Sequence, residues 1–334
     1  MNPKTILITG AAGYIGAMLS DQFSRAPGLE RIIAIDKNPM PDLLRGNKKI
    51  IWISAELSEG IWRDKIKIYK PEIVIHAAWQ IKELYGQKDL QRKLNIEATR
   101  RVFEFVFREA CVKKLIYFST ISSFGAFAAN NLNSRFTENS LLAEDQYLYG
   151  REKKEVEEML QSFYKNSREN KQIFVLRLTS VTGPRGRNDA GKRGLLYMLQ
   201  NVLLFFPVAR EDWCRQYVHE DDLTDVVALF AFNDIPKEKL YETLILAPND
   251  YVLAKDMAQI FKKRILRVSI FAVRLAFFFA WHITRGHIPT GRGAWKFFCY
   301  PIPVSGNLIT EKYGFEYLFS SLEALSKNEG RYIK

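Results

Sequence analysis

Tyr149 and Lys153 stand four residues apart in Tyr149-Gly150-Arg151-Glu152-Lys153, so a helix there puts phenol and ammonium on one face. A free tyrosine loses its proton near pH ~10. A neighbouring ammonium, and positive charge on a bound cofactor, would favour the phenolate and bring that value toward working pH. Such a group can take a proton from a substrate hydroxyl and later return it. By itself Tyr-x-x-x-Lys is a common helical surface pair. It gains chemical meaning from Ser119-Thr120, which ends a predicted strand upstream and leaves Thr120 to hydrogen-bond a reacting oxygen.

A second cluster opens the chain. Thr9-Gly10-Ala11-Ala12-Gly13-Tyr14-Ile15-Gly16 follows one predicted strand and begins a helix. Glycines at 10, 13 and 16 allow a tight turn, close backbone approach to a pyrophosphate and close helix–strand packing. The helix N-terminus adds free N–H groups for the phosphates. Asp36 ends the next strand, where a carboxylate accepts both ribose hydroxyls and repels a 2′-phosphate, so NAD is expected rather than NADP. The small residues Ala77 and Ala78 leave room for a dinucleotide across the sheet edge, and the preceding His76 reads as a packed structural histidine.

These groups need a scaffold that gathers strand ends. Predicted strands are Ile6–Thr9, Arg31–Ile35, Ile50–Ile53, Ile73–His76, Leu115–Ser119 and Ile173–Leu178. Helical stretches alternate with them over Ile15–Ser24, Asn95–Ala110 and Gly150–Phe163. Alternation of this kind predicts an α/β fold, a Rossmann-type doubly wound parallel sheet with its ligand beyond the strands' carboxyl ends. After about residue 179 the alternation loosens. The predicted division is 1–178 for the NAD-binding part, with a return segment near 217–235. Residues 179–216 and 236–334 are assigned to the substrate part, with Gly183-Pro184-Arg185-Gly186 and Asp189-Ala190-Gly191-Lys192 read as loops.

Composition agrees with a globular enzyme. Of 334 residues 47% are apolar and 26% charged, which excludes disordered and fibrous classes. The three cysteines, Cys111, Cys214 and Cys299, lie far apart with no C-x-x-C pair, so neither a disulfide framework nor a metal site is expected. No signal peptide precedes the first strand and no apolar run is long enough to span a bilayer, so a cytoplasmic, soluble or membrane-surface protein is expected.

With those pieces assembled, the chain resembles an extended short-chain dehydrogenase/reductase of the NAD-dependent epimerase/dehydratase family. The likeness rests on TGAAGYIG (9–16), Asp36, HAA (76–78), Asn95-Ile-Glu-Ala-Thr99, FSTISSFG (118–125), Thr137-Glu138, YGREK (149–153), LRLTSVTGPRGR (176–187), RQYVHEDD (215–222) and KYGFEYL (312–318). It implies Thr120, Tyr149 and Lys153 as the catalytic triad, with Lys153 also hydrogen-bonding the nicotinamide ribose. It further implies Gly10, Gly13, Tyr14, Ile15, Gly16, Asp36, Glu56, Leu57, Ala77, Ala78, Asn95 and Ser119 around NAD, together with Tyr149 and Lys153. It implies as well a smaller C-terminal α/β substrate domain, with Ser122, Ser180 and Arg215 meeting the substrate, and a homodimer formed through helices near 95–110 and 149–165.

Departures narrow the reaction. The family's sugar dehydratases and decarboxylases carry an acid after the threonine, where this chain has Ile121-Ser122. Glu56 replaces the commoner Asp facing the adenine, and Ser180 replaces an Asn that touches the substrate diphosphate in nucleotide-sugar enzymes. Cys299-Tyr300-Pro301-Ile302-Pro303 stands in place of an R-P-G-D-like segment, while Arg215 matches the family's phosphate-contacting arginine. The expected activity is epimerisation of a sugar, carried on a nucleotide, through a transient keto form. The alternative is oxidation or reduction of another hydroxyl or ketone, steroid-like or lipid-linked. A dinucleotide-binding sensor without turnover is a further alternative, although such proteins usually lack the tyrosine or the lysine that are both present here.

One stretch stands apart. Residues 257–310 contain no Asp or Glu but eight Lys/Arg and ten aromatics. Three readings are open: a substrate-domain helix packed by its aromatic side, a site for an anionic substrate, or a peripheral membrane contact. Nucleic-acid binding is not expected, since no recognition motif accompanies the charge.

Overall fold

The computed structural model describes residues 4–186, 195–236 and 239–331. The predicted loop at 189–192 lies outside them. Six strands arise where β-branched runs were read: β1 (Lys4–Thr9), β2 (Leu29–Asp36), β3 (Ile50–Ser54), β4 (Ile73–His76), β5 (Lys114–Thr120) and β6 (Gln172–Leu178). Beyond them come the short strands β7 (Ser180–Thr182), β8 (Phe205–Val208), β9 (Cys214–Arg215) and β10 (Tyr217–His219). β11 (Leu240–Leu246), β12 (Val252–Leu253) and β13 (Arg264–Arg267) complete the series. The helices in the first half are α1 (Tyr14–Ser24), α2 (Trp62–Lys67), α3 (Lys88–Arg92), α4 (Ala98–Arg108) and α5 (Leu148–Asn166). After them follow α6 (Leu195–Tyr197), α7 (Glu220–Phe232), α8 (Ala254–Ile260), α9 (Ile270–Ile283), α10 (Lys296–Cys299), α11 (Asn307–Tyr313) and α12 (Ser321–Ser326).

Seven strands form one parallel sheet in the order β11-β6-β5-β4-β1-β2-β3. Alternate side chains serve opposite faces, and both are covered. Ile6, Ile8, Ile32 and Ala34 face a core completed by α1 and α7, whereas Leu7, Ile33 and Ile35 face one completed by α2, α4 and α5. The strand order reverses between β1 and β4, which opens a crevice at their carboxyl ends.

One boundary needs correction. Residues 240–246 fall in the span assigned to the substrate part, yet β11 pairs with β6 residue for residue as the sheet's seventh strand. The apolar residues Leu244 and Leu246 join the core with α7 and Ile245 between them is buried in a separate cluster with Phe124 and Phe297, so the segment belongs to the sheet by burial. The two-stranded pairs β7–β10, β8–β13 and β9–β12 lie outside the main sheet, and Phe206, Val208, Tyr217 and Val252 from them share a smaller apolar cluster with Trp213 and α8.

α7 begins with three buried acids, Glu220, Asp221 and Asp222, where the helix dipole favours negative charge. Burial nevertheless pushes the Asp222 carboxyl up to about 7, against the N–H of Leu318, which donates to it at 2.7 Å. The folded protein therefore holds a proton that the unfolded chain has already released. This group's stability contribution is present at acid pH and is lost as pH rises through about 7. Asp222→Asn should gain much more in melting temperature over wild type at about pH 8 than at about pH 4, below the ordinary carboxyl range, followed by circular dichroism. Equal gains at both would mean that the carboxyl titrates normally.

Candidate active site

The crevice at the sheet's reversal is shaped by the glycine turn. Gly10 has φ +71°, and a Cβ there would sit 2.5 Å from the Ala78 nitrogen, so β1 and β4 approach too closely for any side chain. A Cβ on Gly16 would overlap the Gly10 carbonyl, which is why α1 packs tightly behind the turn. Gly13 precedes α1 without a side-chain cap, leaving the helix N–H groups facing the crevice. Asp36 accepts hydrogen bonds from the N–H of Ala12 at 3.0 Å and of Asn38 at 2.8 Å, and the Asn38 amide adds one at 3.1 Å. That leaves a carboxylate lone pair open to a ribose hydroxyl.

A cavity of about 200 Å³ results, with Gly10, Gly13, Asp36, Glu56, Leu57, Ala77 and Ala78 in its walls. Lys37, Asn38, Trp79 and Gln80 join them, and sequence reasoning did not find these four. His76 lies beneath it, fully buried between the hydroxyls of Thr9 and Thr99. Burial, with Lys153 nearby, drops its pKa to about 3, so it is a neutral structural residue.

A second cavity, about 490 Å³, lies beyond the ends of β5 and β6. β5 delivers Thr120, whose oxygen accepts from the N–H of Ser122 at 3.1 Å as the chain turns. α5 then brings Tyr149 against that turn. The next residue is glycine because a Cβ at 150 would lie 2.6 Å from the Ser122 carbonyl. The buried Glu144 sets the entry to α5, accepting from the N–H groups of Gln146 and Tyr147 and pairing with Lys296 at 3.0 Å. Thr120, Ser122, Tyr149, Ser180 and Arg215 all line this cavity. Arg215 is its one charged wall residue among those described; it donates to the Phe297 carbonyl at 2.9 Å and lies 5.4 Å from the Trp213 and Phe298 rings.

The sequence profile of the NAD dependent epimerase/dehydratase family matches residues 6–242. The chain belongs to that family. With membership come the extended short-chain dehydrogenase/reductase type of enzyme and NAD as cofactor. Uncharacterized proteins of Mycobacterium bovis and Mycobacterium tuberculosis are 25% identical over 140 residues, and that match spans 41% of this chain and only 37% of each relative. Across nearly the whole chain the fold is similar to MoeE5 bound to UDP-glucose and NAD, with 18% identity, 97% of each chain covered and a TM-score of 0.71. It is similar also to the Thermotoga maritima UDP-glucose 4-epimerase with UDP-glucose, at 19% identity, 96% of each chain and a TM-score of 0.70. The Bordetella bronchiseptica enzyme WbmG, in complex with NAD and UDP, gives 17% identity, 97% of this chain, 92% of that one and a TM-score of 0.71. At these identities the likeness is one of fold.

For a member of the epimerase/dehydratase family, the crevice fits NAD by its own features. The glycine cradle leaves no room for a Cβ at 10 or 16, and Asp36 stands at the end of β2 with an acceptor to spare. The chain's residues there would hold the pyrophosphate with Gly13 and the α1 N–H groups and the ribose with Asp36. Asp36→Ser should weaken NADH binding roughly tenfold through loss of a charged hydrogen bond. It should also strengthen NADPH binding, with Lys37 and Asn38 beside the 2′-position. Fluorescence titration with both nucleotides checks this; unchanged affinities would remove Asp36 from the ribose.

Several family positions sit elsewhere. The Tyr14 hydroxyl donates to Glu220, which also accepts from the N–H groups of Arg185 and Gly186, so Tyr14 ties α1 to the β7–α7 region. Ile15 packs against the core on the α1 face. Asn95 lies in a π-helical turn over Lys93–Glu97 ahead of α4. There it accepts from Gln80 at 2.8 Å and donates to Glu152 at 2.7 Å, so it shapes the crevice wall through Gln80 without lining it. Ser119 points to the opposite sheet face from Thr120 and donates to Glu157 at 2.5 Å.

Lys153 lies between the two cavities, donating to the Phe118 carbonyl at 2.6 Å with its nitrogen 3.6 Å from the Trp79 ring centre. Burial holds its pKa well below the ordinary lysine value, opposed by Glu157 and Glu152. Burial likewise pushes Tyr149 up to about 12, and the hydrogen bond with Thr120 acts in the other direction. The expected depression of the phenol by Lys153 is thus not present in the chain alone: the ammonium is turned into the Phe118 carbonyl and the Trp79 face.

Proposed function

We propose that the chain epimerises a sugar carried on a nucleotide, with Tyr149 moving the proton and NAD retained between turnovers. The observation that carries this reading is the convergence of Thr120 and Tyr149 on a cavity whose single charged wall residue, among those described, is Arg215. When bound, NAD supplies the acceptor for hydride and the source of its return. Tyr149, as phenolate, would take the proton of the sugar hydroxyl as the carbon bearing that hydroxyl is oxidised to a ketone. Thr120 holds the reacting oxygen through both halves of the cycle. Once the ketone has turned in the cavity, Tyr149 would return its proton to the oxygen as the ketone is reduced on its opposite face. Arg215 faces the diphosphate, and Lys153 steadies the nicotinamide end from beside Trp79. The UDP-glucose complexes of similarly folded proteins support a nucleotide-sugar substrate, and Ile121-Ser122 supplies no acid for elimination.

A second reading, a dehydrogenase that releases NADH, is favoured by one feature. Apart from Arg215 the cavity is largely apolar, with Trp213, Phe297, Phe298 and Met257 among its walls. Incubation with a panel of UDP-hexoses, without added NAD, separates the two. Formation of the epimer by NMR with no accumulation of NADH is the expected outcome. Accumulating NADH would favour the releasing dehydrogenase, and no conversion of any nucleotide sugar would overturn the epimerase reading. We further place a homodimer contact on α4 and α5, which lie side by side; light scattering tests it.

A further inference from the structure

α9 carries a single charge from Lys, Arg, Asp or Glu, Arg274, in its 14 residues, and apolar side chains on every side. A helix hydrophobic all round belongs in a core or in lipid. No residue of α9 is buried. Phe271 is 72% exposed and Ile283 78%, with Phe278 and Phe279 exposed between them. The inner side rests on the substrate part, where the Phe277 and Phe298 rings meet at 5.1 Å, so the outer apolar side faces solvent. β13 runs through Val268 and Ser269 directly into α9, and its exposed Ile265 and Leu266 pair with the strand that follows Leu204, itself 85% exposed. The two apolar strips therefore adjoin.

Charge completes the picture. Lys262, Arg264, Arg274, Arg285 and Arg292 are exposed on the same segment. Among the described residues none of the five has a carboxylate within ion-pair distance, whereas Arg267 is matched by Glu211 and Lys296 is buried against Glu144. None of these cations lines the substrate cavity, to which the segment lends only uncharged residues such as Met257, Phe297 and Phe298. An anionic substrate therefore does not account for them.

We propose that this face seats on an anionic lipid bilayer, with α9 lying in the headgroup plane, Phe271, Phe278 and Ile283 among the acyl chains and the surrounding cations on the lipid phosphates. Fourteen residues make about 21 Å of helix, short of the ~30 Å hydrocarbon core, so the helix lies on the membrane. Among the described residues no helix is long and apolar enough to cross one. Charge decides between a bilayer and a second copy of the chain. A symmetric self-contact would set this acid-free segment against its own cations, while an anionic surface supplies the missing negative charge. Phe298 both packs on α9 and lines the substrate cavity, so the seat lies one aromatic layer from the site.

The test is flotation of the full chain with vesicles of phosphatidylcholine alone or mixed with phosphatidylglycerol. Wild type should float with the mixed vesicles, release in high salt and stay down with neutral ones. Phe278→Asp/Ile283→Asp and Lys262→Glu/Arg264→Glu should each weaken binding at least roughly tenfold, with NADH binding retained as the check on folding. Should either variant lose NADH binding, a nitroxide on Phe279→Cys reports depth directly, and burial below the phosphates is expected. No flotation of wild type, a label left in water, or binding indifferent to both substitutions would overturn the proposal. So would an oligomer that disperses on Phe278→Asp in a chain that ignores vesicles, which would make the face a contact between copies.

Discussion

Tyr149→Phe should bind NADH as the wild type does and turn over roughly 10³-fold more slowly, the scale of losing a positioned proton-transfer group. The substitution removes one oxygen from a buried side chain and leaves the ring that packs 6.0 Å from Tyr147, so the cavity keeps its shape. What vanishes is the group that Thr120 hydrogen-bonds. Burial, opposed by the Thr120 hydrogen bond, puts that phenol at about 12, so in the cofactor-free chain it is protonated at working pH. The base form is the active one in the oxidation half. Wild-type kcat should therefore rise with pH until the phenol has ionised, and the rising limb should be absent from whatever activity the Phe chain retains. Steady-state rates across pH, with NADH titrations beside them, check both statements. Full activity in Tyr149→Phe would sink the assignment outright.

The positions just invoked differ in how far the sequence announced them. Thr120, Tyr149, Gly10 and Asp36 could be read because each sits at a strand end or helix start with a spacing that few other arrangements require. Six of the seven sheet strands carry β-branched runs. β11 escaped because Glu242 and Thr243 interrupt its apolar residues, and only the pairing with β6 reveals it. The exposure of α9 was equally hidden, since an apolar helix in a sequence reads as core. Polar contacts across the fold were the least legible. The clasp of Tyr14 on Glu220 joins residues 206 apart, and that of Lys296 on Glu144 joins residues 152 apart. No local spacing encodes such pairs. The orientation of Lys153 escaped for a related reason: the helix face was right, but Trp79 and the Phe118 carbonyl that capture it come from other strands' ends.

Glu157 gave a local sign, four residues after Lys153, and it carries the second large expectation. Its carboxylate accepts from Arg177 at 2.8 Å and 3.1 Å and from the Ser119 hydroxyl, with both charged side chains under a tenth exposed. Glu157→Gln keeps the shape but leaves the Arg177 guanidinium buried with no counter-charge. Breaking one side of a buried pair costs about 3–5 kcal/mol, so the variant should unfold at markedly lower urea. The same change withdraws the first of the two charges that sustain the Lys153 ammonium, and its pKa should fall further. A merely structural pair and this one are told apart by the double variant. Glu157→Gln/Arg177→Met removes both members, and much of the lost stability should return, because the stranded cation rather than the missing contact carried the cost. Turnover should not return with it, since Lys153 still lacks Glu157. Recovery of stability and activity together would confine Glu157 to packing, and a single-variant loss below about 1 kcal/mol would mean that solvent reaches the pair and screens it.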